Sequence, residues 1–163
     1  MNKYTTILIF FHLISTASFS QNEAVISVLK KKEIGKVYDF DSSSKEGIID
    51  KISIRYLGHI KTAKGQLLNI LSWSRIWGRN HHTTGIIYLY DDNYSLIGKY
   101  NLGSNIDLPY KVQSADLVFT NKNKGSCDTS LITKISFYKG IPQSIFLKCK
   151  GDLGDIYSFS AGE

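Results

Sequence analysis

The densest group of chemically capable side chains is Trp73-Ser74-Arg75-Ile76-Trp77-Gly78-Arg79, with His81 and His82 close behind. On an extended chain alternate residues share a face, so Trp73, Arg75 and Trp77 fall on one side and Ser74 and Ile76 on the other. A guanidinium between two indoles suits a cation–π ladder. Flat aromatic faces beside guanidinium donors suit a sugar ring, or an acidic protein partner for which Trp and Arg are favoured anchors. Trp73, Arg75, Trp77, Arg79 and His82 are therefore the candidate ligand-binding residues. The competing arrangement is structural, with both indoles plugging the core and Arg75 capping its end.

Catalytic constellations are harder to assemble. After residue 20 only His59, His81 and His82 are available as imidazole bases. No Gly-x-Ser-x-Gly elbow is present, and no glycine-rich phosphate loop. The glutamates at 23, 33, 46 and 163 lie in peripheral segments, and Asp91, Asp92, Asp128, Asp152 and Asp155 fall at turn signals, so paired carboxylates for glycoside hydrolysis are not expected. Asp91-Asp92-Asn93 lacks the spaced ligands and terminal Glu of a calcium loop. Adjacent His81 and His82 would point to opposite faces of a strand, which disfavours a shared metal ion. We expect no catalytic residue, metal or cofactor, and a binding protein rather than an enzyme.

Residues 1–20 read as a secretory leader. Lys3 supplies a positive start and Tyr4 to Ile14 an apolar run, and Ser18-Phe19-Ser20 places small side chains where a signal peptidase reads them. The run of about eleven residues is well short of the roughly twenty that span a bilayer. The expected product is a secreted or periplasmic chain starting at Gln21, forming one domain over residues 21–163 and not spanning a membrane. Export permits Cys127 and Cys149 to pair as a disulfide. It also argues against nucleic acid as the partner of the +6 net charge, since no nucleic-acid-binding motif accompanies it. Lys30-Lys31-Lys32 with Lys36, and Lys122 with Lys124, are read as solvated surface, open to an acidic protein or an anionic envelope polymer.

The elements that position these residues are mostly strands. Ile52, Ile54 and Tyr56 alternate with polar neighbours, and Gln66 to Trp77 reads as one long strand after the turn Thr62-Ala63-Lys64-Gly65. Ile86–Tyr90 and Leu96–Tyr100 flank the hairpin signal Asp91 to Ser95. Ala115–Thr120, Ile132–Lys139, Ser144–Cys149 and Asp155–Ser160 complete the set, with Gly140-Ile141-Pro142 as a tight turn. If that turn closes a hairpin, Cys149 lies opposite about residue 133. Cys127 is then not its direct partner, and its glycine-containing loop must fold back to reach it. Glu23–Lys32 is either a short helix or an edge strand. The pattern predicts an all-β, mainly antiparallel protein: one β-sandwich or partly open barrel of about eight strands, with room for a short N-terminal helix. The expected function is an exported binding module for a protein or cell-envelope component, inhibitor- or immunity-like. The alternative is a carbohydrate-binding or carbohydrate-active protein that uses the Trp/Arg face.

Overall fold

The computed structural model describes residues 21–162 apart from 45, 122 and 123, so the predicted leader over 1–20 lies outside the described residues. The segment left open between helix and edge strand is a helix, α1 (Gln21–Lys31). Ala24, Val25, Val28 and Leu29 recur at helical spacing and are buried as one stripe. Glu23 in its first turn and Lys30 and Lys31 in its last match the helix dipole.

Strands follow from there: β1 (Val37–Asp41), β2 (Ile49–Lys61), β3 (Leu67–Gly78), β4 (His82–Tyr90), β5 (Leu96–Asn101), β6 (Lys111–Gln113), β7 (Asp116–Thr120), β8 (Ile132–Ser136), β9 (Ser144–Lys150) and β10 (Leu153–Ala161). A single 3₁₀ turn, Asn105–Asp107, lies between β5 and β6. All pairings among the described residues are antiparallel. They form a seven-stranded sheet in the order β1-β2-β3-β4-β5-β10-β9 and a three-stranded sheet in the order β6-β7-β8. The mainly antiparallel all-β expectation holds, with ten strands among the described residues. The two not foreseen are β1 and β6.

The large sheet is buried on both faces along its centre. On one face α1 covers Ile54, Tyr56, Leu71, Trp73, Ile86, Tyr88 and Tyr90. On the other, Leu68, Ile70, Ile87, Leu89 and Tyr100 pack against Leu117, Phe119 and Phe137 from the small sheet and the turn after it. Gly85 is required by a close approach: a Cβ there would lie 2.2 Å from the carbonyl oxygen of Ser104. That contact seats the 3₁₀ turn against β4, with Thr83 Oγ1 and Ser104 Oγ 3.4 Å apart alongside it. In the β4–β5 hairpin the Asp91 carboxylate accepts the backbone N–H groups of Asn93 and Ser95, both at 2.8 Å. The left-handed residue there is Tyr94, at φ 63°.

One sequence expectation is corrected. Gly140-Ile141-Pro142 does not close a hairpin between β8 and β9. The chain turns there, with Gly140 N donating to Phe137 O at 3.0 Å, but passes from the small sheet to the large one. β8 pairs with β7, and β9 pairs with β10 through a turn at Gly151–Asp152. The disulfide between Cys127 and Cys149 is present nonetheless. Residues 124–128 fold back onto β9, where Asp128 N donates to Cys149 O at 2.8 Å. The side-chain amide of buried Asn121 donates to the carbonyls of Asp128, Lys148 and Cys149.

Candidate functional site

The five candidate residues separate along β3 and its turn into β4. Register pairs Trp73 with Ile54 and Ile86, Arg75 with Ile52 and Thr84, and Trp77 with Asp50 and His82. Trp73, Arg75 and Trp77 do share the face that carries α1, as the alternation requires. Burial then falls toward the end of the strand. Trp73 is 4% exposed within the core under the helix, whereas Trp77 is 42% exposed. The two indoles are therefore neither both core nor both surface, because α1 covers the middle of β3 and stops short of its end. Trp73 Nε1 is the one buried side-chain polar atom without a hydrogen-bond partner among the described residues.

The anticipated cation–π ladder does not form: among the described cation–π contacts none involves Arg75. Its guanidinium instead grips Asp50 from the neighbouring strand in a two-point pair, Nε to Oδ1 at 2.7 Å and Nη2 to Oδ2 at 2.9 Å. Arg75 holds the Asp50 carboxyl below the usual carboxylate range, and Asp50 in turn strengthens protonation of Arg75. A fork-to-fork pair of this kind fixes both planes. No spacing in the chain points to Asp50, because the partner lies on another strand, 25 residues away.

Beyond that pair, Trp77 lies against the His82 ring, centroids 4.8 Å apart and planes tilted by 35°. Arg79 and His81 sit exposed in the connecting turn, which needs left-handed backbone at Gly78 (φ 76°) and His81 (φ 54°). His81 and His82 do not converge on one site, and no group of three or more metal-ligating side chains occurs among the described residues. The result is a half-exposed indole and imidazole on rigid strands, flanked by an immobilised Arg–Asp pair and by Thr84. Such a surface can stack a flat ring and offer hydrogen bonds at its edge.

A second polar group escaped notice in the sequence. Lys124, read as a solvated surface lysine, is buried and paired with the buried Asp107 carboxylate, whose other oxygen accepts the Tyr157 hydroxyl at 3.0 Å. Burial first, and then the Asp107 charge, push the Tyr157 phenol up. These groups come from the 3₁₀ turn, the segment before Cys127 and β10, so no spacing in the chain announces them.

No protein family matches the chain, and neither does any curated protein or solved structure compared with it. Its function rests on the chemistry of its own surfaces.

Proposed function

We propose that this protein is an exported binding module that takes its ligand, a protein or cell-envelope component, on the surface formed by Trp77, His82 and Arg79. The observation that carries the proposal is the exposure of Trp77. A large indole left 42% open, stacked on an imidazole and mounted on the long β3–β4 pair, is poorly explained by folding alone. The Arg75–Asp50 pair stiffens the strand beside it, so little side-chain freedom remains to be lost when a ligand docks. The leader-like segment at residues 1–20 and the disulfide support an extracytoplasmic setting. A glycan is the favoured envelope component, because a single tilted aromatic pair with flanking polar groups matches a sugar ring better than an extended peptide.

The two indoles provide the test. Trp77→Ala removes a ring already half in water and is expected to lower stability by only about 1–2 kcal/mol. Trp73→Ala opens a core cavity and should cost about 3–5 kcal/mol. On a glycan array, and in pull-downs from an envelope extract, Trp77→Ala should lose ligand while its far-ultraviolet circular dichroism stays native. If Trp77→Ala retains every interaction of the native protein, this surface is not the binding site. The export component is checked separately by intact mass of the exported protein, which should begin at Gln21; a retained Met1–Ser20 segment would contradict it.

A further inference from the structure

On the opposite face of the large sheet from Trp77, a cleft runs from the margin between the two sheets onto the outer face of the small sheet. Its inner part, about 240 Å³, is lined by Arg55, Asn105, Leu108, Pro109, Tyr110 and Thr120. Its outer part, about 460 Å³, shares Tyr110 and Thr120 and adds Lys111, Val118, Ile132 and Lys134. The outer part alone lies in the range of small-ligand sites. Among the described residues three cations line the cleft, and no carboxylate does.

Arg55 is the informative residue. It is half-buried on β2, and burial lowers its pKa. Among the described residues it has no carboxylate partner. Its one described hydrogen bond is Nη2 donating to Pro109 O at 2.8 Å. A guanidinium carries five N–H donors, and a half-buried one is normally matched by a carboxylate. Arg75 of the same sheet, matched by Asp50, shows the ordinary solution.

The small sheet places two more cations nearby. Register aligns Lys111 with Val118 and Val118 with Lys134, so the two lysines share a face on either side of a buried valine. Two strand spacings put them about 10 Å apart. Neither is in a described salt bridge. Asp116 lies one row away on the same face, and the Asp128 carboxylate is taken up by Ser130 N and Oγ. Apolar surface is left open among these charges: Tyr110 is 59% exposed and Ile132 is 62% exposed.

We propose that this cleft binds a small organic anion, its carboxylate or phosphate head between Arg55 and Lys111 and its apolar or aromatic body along Tyr110, Val118 and Ile132. Charge-assisted bonds from Arg55 and the lysines supply affinity for the head. Tyr110 and Ile132 give the body a surface that water covers poorly. The site is separate from the Trp77 surface and stands or falls independently of it.

The test uses the full folded domain, with phenyl phosphate, benzoate and inorganic phosphate as probes followed by amide shifts in nuclear magnetic resonance. Phenyl phosphate or benzoate should shift the amides of residues 110–111, 118–120 and 132–134, and inorganic phosphate should bind more weakly. Comparing phenyl phosphate with benzoate tells which head the site prefers. Arg55→Gln should weaken binding at least about tenfold. Because Arg55 also supports the Pro109 carbonyl, the exposed pair Lys111→Gln/Lys134→Gln is the second variant, expected to weaken binding without altering the melt. Trp77→Ala should leave the dissociation constant unchanged. Shifts scattered over lysines throughout the surface, absent shifts, or affinity insensitive to both sets of variants would overturn the proposal.

Discussion

Removing one member of the buried Asp107–Lys124 pair should be far more damaging than removing both. The side chains are 9% and 6% exposed, so each charge has little water to fall back on. Lys124→Met leaves the Asp107 carboxylate with only the Tyr157 hydroxyl, and Asp107→Leu leaves an ammonium with no counter-charge. Stranding a buried charge in this way costs about 3–5 kcal/mol. That is a large part of the 5–15 kcal/mol typical of a whole domain. The double variant buries no charge. Its remaining defect is the Tyr157 hydroxyl without its acceptor, about 1–3 kcal/mol. The cycle should therefore show the double variant at least about 3 kcal/mol more stable than the sum of the singles implies. Urea unfolding followed by circular dichroism measures this. With a slope of about 2 kcal/mol per molar, each single variant should unfold roughly 2 M earlier than the native protein. Additive losses, or single losses under about 1 kcal/mol, would mean that water reaches the pair and would refute the reasoning.

Two further outcomes follow from the same structure. The Cys127–Cys149 bridge closes a loop across 22 positions, worth about 3 kcal/mol in the chain-entropy view, so reduction should lower the melting temperature by roughly 6–12 °C. An unchanged melt would show that the Asn121 hydrogen bonds alone hold Asp128 against β9. The Asp41 carboxyl is held down to about 2, first by the hydroxyl and backbone N–H of Ser43 and then by Lys51. Its folded pKa lies below the unfolded one, so its contribution to stability is present above the ordinary carboxylate range and is lost as pH falls toward 2. A carboxyl carbon titration should place its midpoint there, and Ser43→Ala should raise it; a midpoint in the usual range would contradict the contact.

Much of the fold was legible in the chain because its causes are local. Alternation over 52–56 comes from a strand with two distinct faces, and the Asp91 turn is built by one side chain bonding its own neighbours. The parity that groups Trp73, Arg75 and Trp77 also follows from backbone geometry alone. Pairing between elements was not legible in this way. Gly140-Ile141-Pro142 makes a turn in either topology, and only the competition of β7 and β10 for β8 and β9 decided that it joins two sheets. Burial along β3 was likewise set from outside the strand, by where α1 ends: identical indoles four residues apart became a core residue and a surface one. The ionic contacts were the least visible. Asp50 reaches Arg75 across 25 residues, and Asp107 gathers Lys124 and Tyr157 from two other parts of the chain. Charge pairing depends on distance in space, and a sequence records only distance along the chain. The residue types offered the chemistry, and the packing of two sheets and one helix decided which side chains were left free to use it.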